Sequence, residues 1–233
     1  MKTVIFDFDG TLTIKGANIW KSIWQNLGYD IGKGSFYRLL FSSFIDNRIS
    51  HQDWCDLTCK AFQEKEMTKD LLLKIAGEVQ LLQGAEDVFK VLKSKGYSLH
   101  IVSGNIQEVI TLVLGENVKY FDSINANKLH FDESGKLTQI EGTNYDFEGK
   151  AKFVEEFKEK TDTDAKDIIF VGNGGNDEWV HFSGCKTLCI NPDDAESTNQ
   201  TKWHKVLDNV RDLRQIIPEI CPLTQKNKGE EGK

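Results

Sequence analysis

The hydrophobic positions along the chain follow two alternating patterns. Short apolar runs of strand length end at glycine or at acidic residues, and segments with apolar residues at helical spacing lie between them. The predicted strands are 3–8, 98–104, 123–131, 167–173 and 186–191, and the predicted helices between them are 85–96, 106–116 and 149–161. Strands that alternate with helices in this way pair in parallel and are covered on both faces. The pattern predicts an α/β fold with a doubly wound parallel sheet.

One long stretch, 15–82, interrupts this alternation. It contains no convincing strand but is rich in Trp, Phe and Leu at helical spacing, which predicts a helical cap inserted after the first strand. Segments 1–14 and 83–225 then form the α/β core. Segment 128–142 is typical of a β-hairpin that turns between Asp132 and Gly135. The charged tail 226–233 has no apolar residue and is predicted to be disordered.

Composition and charge narrow the possible partners. The 233 residues include 29 Lys and Arg against 36 Asp and Glu, a net charge of −7. Such a surface repels nucleic-acid backbones and anionic lipid, so neither is expected as a partner. No apolar run approaches membrane-spanning length, and the first strand is too short and too acidic for a secretory signal, so we expect a cytoplasmic protein. The five cysteines are widely spread without paired spacing, which favours reduced, mostly buried thiols.

Small, polar or acidic residues follow three of the predicted strands. Asp7 and Asp9 follow the first strand, Ser103 ends the second, and Asn173 and Asp177 follow a later one. Because the carboxyl ends of parallel strands meet at one edge of the sheet, these residues are expected to come together. Asp7 and Asp9 are two positions apart, so in an extended chain their side chains point to the same face. The sequence therefore predicts a functional site at this edge.

Four motifs carry a resemblance to a known family. The segments "DFDGT" (7–11), "IVSG" (101–104), "EGKAKFVEEF" (148–157) and "VGNGGND" (171–177) resemble the four motifs of the haloacid dehalogenase-like phosphatases. The helical insert after the first motif resembles the cap of the phosphoserine-phosphatase-like branch. The resemblance implies a parallel sheet with the nucleophile strand in its middle and a mobile helical cap above it.

The resemblance and the chemistry of the residues together suggest a covalent mechanism. Asp7 would attack the phosphorus atom and form an aspartyl-phosphate. Asp9 would protonate the leaving group and later activate water, a role that favours phosphate esters over carbon–halogen bonds. Lys150 would neutralise charge on the phosphate and on Asp7, and Lys152 is the alternative.

Several further residues are predicted to hold the substrate. Ser103 is expected to donate to the phosphate oxygens together with the backbone amides of Gly104 and Gly10. The other predicted substrate-binding residues are Thr11, Asn105, Asn176 and, in the cap, Arg48. A phosphorylated substrate and an anionic nucleophile repel each other, so we expect a divalent cation, and oxygen ligands favour Mg²⁺.

The predicted Mg²⁺ ligands are Asp7, the backbone carbonyl of Asp9, Asn173 and Asp177. Members of the family usually carry an acid where this chain has Asn173. An amide oxygen still coordinates Mg²⁺ but contributes no charge, so a weakened metal site is expected, with Glu178 as a possible compensating acid.

The expected function is hydrolysis of a small phosphorylated metabolite with Mg²⁺. Lys15 and Gly16 stand about where phosphoserine phosphatases carry an acid for the amine, and 50–60 lacks the arginine that holds the carboxylate, which argues against phosphoserine. The cap's basic candidates are Arg38, Arg48 and His51. Two alternatives stay open: a phosphotransferase or mutase, and a binding protein with weak catalysis because of Asn173.

Overall fold

The structure is a computed structural model that describes residues 2–16, 18–193 and 202–221. The predicted disordered tail, 226–233, lies outside the described residues.

A seven-stranded sheet forms the centre of the described chain. Its strands are β1 (Thr3–Phe6), β2 (Ser98–Ile106), β3 (Ser123–Phe131), β4 (Leu137–Glu141), β5 (Ile168–Gly172), β6 (Lys186–Ile190) and β7 (Lys205–Leu207). The order is β4-β3-β2-β1-β5-β6-β7, and every pair is parallel except β3 with β4. All four residues of β1 are buried, because neighbouring strands and packed helices enclose this central strand. The predicted α/β fold is confirmed.

Helices alternate with these strands as the periodicity predicts. After the insert come α5 (Ala85–Ser94), α6 (Gln107–Leu114), α7 (Glu148–Thr161) and the short α8 (Ile217–Ile220). The chain between β1 and α5 forms α1 (Ile19–Asn26), α2 (Phe36–Ile45), α3 (His51–Glu64) and α4 (Lys69–Ala76). Each of these four begins at a polar cap whose side chain accepts a backbone N–H three residues on, namely Asn18, Ser35, Ser50 and Thr68. Such caps define helix starts in the sequence itself.

The inserted helices do not pack only on one another. Their apolar core includes Trp24 and Phe62, and it continues through Leu129 of β3 and Leu137 of β4. Gln63 also donates hydrogen bonds to the backbone carbonyls of Leu137 and Thr138, at 3.2 and 3.0 Å. The predicted cap, 15–82, therefore shares its hydrophobic core with the β3–β4 hairpin.

The hairpin itself follows its predicted turn. Gly135 N–H donates to the Asp132 carbonyl at 2.9 Å, and Asp132 Oδ1 accepts from the backbone of Ser134 and Lys136. The sequence patterns missed β7, a three-residue strand with an exposed first residue, because so short a run carries no periodicity. No helix in the described parts of the chain is both long and apolar enough to cross a membrane.

Candidate active site

A cavity of about 670 Å³ opens where the carboxyl ends of β1, β2 and β5 face the inserted helices. On the sheet side its lining includes Asp7, Asp9, Ser103, Gly104, Asn105, Asn173 and Asn176. On the helix side it includes Trp20, Arg38, Phe44, His51 and Trp54. The sheet edge predicted from the strand ends is therefore where these polar groups gather.

Lys150 lies at the centre of the buried charges. Its Nζ donates to Asp7 Oδ1 at 2.8 Å and to Asp177 Oδ1 at 2.5 Å, and its side chain is fully buried. Lys152, the alternative, is exposed and pairs with Glu156. Although burial disfavours an ammonium group, the carboxylates of Asp177 and Asp7 raise the pKa of Lys150 overall. Lys150 is therefore a fixed positive charge beside Asp7.

The pKa of the buried Asp7 carboxyl group is raised above its ordinary value. Burial raises its pKa, Lys150 lowers it and the charge of Asp177 raises it again, to about 7. Desolvation by burial is the largest of these effects and outweighs the attraction of Lys150, so the pKa of Asp7 is raised. Asp7 Oδ1 is occupied by Lys150, so Oδ2 is the oxygen available for chemistry.

Asp177 is held on both of its carboxylate oxygens. Oδ1 accepts from Lys150, and Oδ2 accepts from the backbone amides of Asn173 and Gly174 at 2.9 and 3.0 Å. A Cβ at Gly172 would lie 2.6 Å from the Asp177 carboxyl carbon, so only glycine allows this close packing. The oxygens of Asp177 thus accept three hydrogen bonds, and the direct metal-ligand role predicted for it stays a prediction.

Asp9 stands beside the second strand end. Asn105 Nδ2 donates to Asp9 Oδ1 at 2.8 Å, and Ser103 Oγ accepts from the backbone amide of Asn105 at 3.3 Å. Burial, followed by the nearby charge of Asp7, raises the pKa of Asp9 well above its ordinary value. A raised pKa favours the protonated carboxyl group, which is the form that a general acid needs.

Asn173 contacts two residues of the first motif, Thr11 and Gly10. Its Oδ1 accepts from the Thr11 hydroxyl at 3.2 Å. Gly10 has φ +71°, and a Cβ there would lie 2.4 Å from Asn173 Nδ2. The Gly10 amide donates to Thr13 Oγ1 at 3.0 Å, so the predicted donation from Gly10 to a phosphate is not available in this structure. Thr11 and Gly10 position Asn173 instead of lining the cavity.

The cap's predicted substrate-binding residue is corrected. Arg48 is exposed, pairs with Asp46 at 2.8 Å and does not line the cavity. It lies three residues after the end of α2. Arg38 of α2 lines the cavity in its place, as does His51. Burial lowers the pKa of His51, which favours a neutral ring.

Asp146 was not predicted from the sequence. It lines the cavity and accepts a hydrogen bond from Asn176 Nδ2 at 2.8 Å. No motif marks it, since it lies in the loop before α7. A lone acid four residues before Lys150 was the only signal that could have found it.

Comparison with known proteins decides the family. A model of the haloacid dehalogenase-like hydrolases matches residues 4–177, about three quarters of the chain. The chain belongs to this family. The family predicted from the four sequence motifs is confirmed, and the fold of the described chain is the one that the motifs imply.

The similar curated proteins are phosphoserine phosphatases. The chain is 27% identical over 180 residues to the enzyme of Archaeoglobus fulgidus, covering 77% of this chain and 49% of that one. It is 23% identical over 222 residues to the enzyme of Methanocaldococcus jannaschii, covering 94% and 97%. The chain thus spans about half the length of the first of these relatives and nearly all of the second.

Solved structures of similar fold include a phosphoserine phosphatase with a phospho-aspartyl intermediate analogue and one with bound substrate. The TM-scores are 0.70 and 0.72, both at 21% identity, and the matches cover 94% of this chain and 98% and 97% of those chains. At this identity the likeness establishes the fold of this haloacid dehalogenase-like hydrolase.

The oxygen donors of the site suit a hard divalent cation, with fewer charges than usual. No group of three or more His, Cys, Asp or Glu side chains in the described parts of the chain is placed to hold a metal ion. Asn173, whose position was predicted to hold an acid in related proteins, contributes an amide oxygen and no charge. Asp7 Oδ2 and Asn173 Oδ1, which also accepts the Thr11 hydroxyl, are oxygen atoms near the end of β1 that would suit Mg²⁺ in a site of low charge.

Proposed function

We propose that this protein hydrolyses phosphate monoesters of small soluble alcohols through an aspartyl-phosphate on Asp7. The observation that carries the proposal is the buried Asp7–Lys150–Asp177 group, which fixes one carboxylate oxygen and leaves the other facing a cavity. Asp9, with its raised pKa, stands beside it. Nucleophile, proton donor and fixed cation therefore meet at one strand end.

Asp7 and Asp9 have different roles in the proposed reaction. Asp7 Oδ2 attacks phosphorus, the bond between phosphorus and the ester oxygen breaks, and that oxygen takes the proton from Asp9. Asp9 then removes a proton from water, whose oxygen attacks the phosphorus of the aspartyl-phosphate. Inorganic phosphate leaves and Asp7 is restored.

Three neighbouring groups would bind the phosphoryl oxygens. The Ser103 hydroxyl lines the cavity, and its oxygen accepts the Asn105 amide, so its hydrogen is available to donate. The Gly104 amide and Asn176 are the next donors at the same end of the cavity. Asn105 instead orients Asp9, which makes it a positioning residue.

Mg²⁺ would be held by Asp7, the backbone carbonyl of Asp9 and Asn173. When bound, it supplies positive charge that offsets the repulsion between the substrate and Asp7. Asp177 would act through Lys150 and the strand end that it holds together. A cytoplasmic location and a small phosphate ester as partner, without nucleic acid or membrane, remain predictions of the same proposal.

The proposal is tested with a panel of phosphorylated metabolites, assayed with Mg²⁺ and with chelator. We expect phosphate release that depends on the metal, and loss of about a thousandfold or more in Asp7→Asn. Intact-mass analysis should show a beryllofluoride adduct on the wild type only. Added acceptor alcohols would reveal a phosphotransferase by a new ester product. Turnover by Asp7→Asn close to that of the wild type would exclude the mechanism.

A further inference from the structure

Asp146 is a carboxylate on the wall of the active cavity. Its charge acts on Lys150 and His51, but it forms no ion pair with either of them. Its Oδ1 accepts from Phe147 N–H at 3.0 Å and from Asn176 Nδ2 at 2.8 Å. Among the described residues, no Lys, Arg or His side chain comes within ion-pair distance of it. The other oxygen, Oδ2, has no hydrogen-bond donor in the described chain. Buried polar atoms usually have a hydrogen-bond partner, so this half-buried oxygen is able to accept a hydrogen bond from a ligand.

The position of Oδ2 places it close to the reacting end of the cavity. A Cβ at Gly104 would lie 2.6 Å from this oxygen, so Asp146 packs directly over the backbone that follows Ser103. The group next to the ester oxygen of a bound substrate would therefore lie near Asp146.

A wall of aromatic rings leads away from this point. Trp20 contacts Trp54 with ring centres 4.9 Å apart, Trp54 contacts Phe44 at 6.1 Å, and Phe44 contacts Phe147 at 6.0 Å. The wall starts at Gly104, whose carbonyl accepts from the Trp20 indole. It ends at Phe147, next to Asp146. Faces of Trp and Phe rings attract cations.

The other charged groups around the cavity also favour a cationic group on the ligand. Among the described residues, the cavity lining contains four carboxyl groups and a single guanidinium, that of Arg38. Arg38 is exposed at the rim, and its Nε donates to the Ile31 carbonyl at 3.2 Å. Lys150 is already paired with two carboxylates. Beyond the phosphate, the cavity therefore offers negative charge and aromatic faces.

We propose that Asp146 determines specificity by pairing with an ammonium group on the alcohol part of the substrate, while the aromatic wall covers that group. The substrate class is phosphate monoesters of amino alcohols. This inference rests on the proposed phosphomonoester hydrolysis and adds the substrate class to it.

A purely structural role for Asp146 makes a different prediction. Oδ1 alone holds the start of α7 and Asn176, and an amide oxygen serves equally well there. Asp146→Asn therefore keeps these hydrogen bonds and removes only the charge. A structural role would leave discrimination between charged and neutral substrates unchanged.

The test uses two esters of the same shape, 2-aminoethyl phosphate and n-propyl phosphate, which differ by an ammonium in place of a methyl group. We expect the wild type to prefer the amino ester in kcat/KM by about 10- to 100-fold, and Asp146→Asn to lose most of that preference. Glu148→Gln removes the same charge from an exposed position two residues away and should keep the wild-type ratio.

The aromatic wall is tested with a second pair, trimethylammonioethyl phosphate and 3,3-dimethylbutyl phosphate. Phe44→Leu should lower the preference for the cationic ester about two- to fivefold, because Leu fills space without a ring face. Equal rates within both pairs in the wild type, or an unchanged ratio in Asp146→Asn, would overturn the inference.

A binding measurement separates this inference from the proposed function. If the wild type hydrolyses none of the four esters, the proposed function fails, and calorimetry on Asp7→Asn then decides the inference alone. Tighter binding of 2-aminoethyl phosphate than of n-propyl phosphate, lost in Asp7→Asn combined with Asp146→Asn, supports it. Equal binding of the two esters overturns it.

Discussion

The indole Nε1 of Trp20 donates a hydrogen bond to the carbonyl oxygen of Gly104 at 2.8 Å. Trp20 belongs to the first inserted helix, and Gly104 follows Ser103 at the end of β2. This bond joins the insert to the strand end that we propose binds the phosphate. We expect this bond to favour a form in which the insert is closed over the cavity.

Trp20→Phe should loosen this closure. A hydrogen bond of this kind contributes about 0.5–1.5 kcal/mol, so the closed form should lose about two- to tenfold in population. We expect KM for a small ester to rise by up to that factor, with kcat unchanged or raised by faster product release. Trp24→Phe is the control, because Trp24 Nε1 has no hydrogen-bond partner in the described structure. The same KM change in both variants would refute a role for the bond.

Lys150→Met should destabilise the fold more than an ordinary lysine substitution. It leaves Asp7 and Asp177 buried without a counter-charge, at a cost of about 3–5 kcal/mol. Urea unfolding at pH 8 measures this loss. Lys152→Met is the matched control, and since Lys152 is exposed and paired with Glu156 at 3.7 Å, it should cost less than about 0.5 kcal/mol. Equal losses would mean that Lys150 is not the buried partner.

Asp7 should make the metal-free protein more stable in mild acid. Its pKa is raised from 3.8 to about 7, so the folded state binds a proton that the unfolded state has already lost. That stabilisation is present at low pH and disappears as the pH rises through about 7. Between pH 6 and 8 the free energy of unfolding should fall by about 1.4 kcal/mol from this group.

Thermal or urea unfolding in chelator at pH 6, 7 and 8 measures this slope. Asp7→Asn should flatten it, and saturating Mg²⁺ should reduce it, because metal and proton compete for the same carboxylate. A wild-type slope that Asp7→Asn leaves unchanged would assign the titration to another group, and Asp9 is the first alternative.

Arg38 and Arg48 provide a matched pair within one segment of the insert. Arg38 lines the cavity, whereas Arg48 pairs with Asp46 on the surface. Arg38→Gln should raise KM for a phosphate ester about two- to tenfold, with a larger effect at low salt, because it removes the only cation of the described lining. Arg48→Gln should leave KM within about a factor of two. The reverse ranking would restore the role predicted for Arg48 from the sequence.

The sequence predicted the parts of this protein that strong local patterns encode. Strand β3 runs over Ser123–Phe131 as predicted, and Asp7, Ser103 and Lys150 were placed by motifs and strand ends. Arg48 was wrong because its side chain is paired by Asp46, a local contact that periodicity does not reveal. Asp146 was missed because its role comes from packing over Gly104, forty-two positions earlier in the chain. Long-range packing of loop residues leaves no periodic signal.

Asn173 is followed by Gly174, a pairing prone to spontaneous deamidation. In the fold, the Gly174 amide donates to Asp177 Oδ2 at 3.0 Å and Asn173 is buried. Deamidation requires that this backbone nitrogen attack the side-chain carbonyl, so the hydrogen bond should slow the reaction. Intact mass over weeks should show little change in native protein and a gain of one unit in unfolded protein. Equal rates would mean that the strand end opens freely.

Asn173→Asp should strengthen the metal site and weaken the metal-free fold. Two unit charges ~4 Å apart at an effective dielectric of ~20 attract by about 4 kcal/mol. Desolvation and repulsion from Asp7 and Asp177 offset most of this, which leaves a net gain of ~1–2 kcal/mol, or roughly five- to thirtyfold in Mg²⁺ affinity. The Mg²⁺ concentration for half-maximal activity should fall by that factor.

The same substitution should cost stability without metal, because it adds a carboxylate at a buried position. We expect the free energy of unfolding in chelator to fall by about 1–2 kcal/mol and to recover when Mg²⁺ is added. Asn209→Asp adds the same charge at an exposed position outside the cavity lining and should change neither quantity. Undeamidated wild type and Asn173→Asp with the same Mg²⁺ dependence would place Asn173 outside the reach of the metal, and the ligand set proposed for this strand end would be wrong.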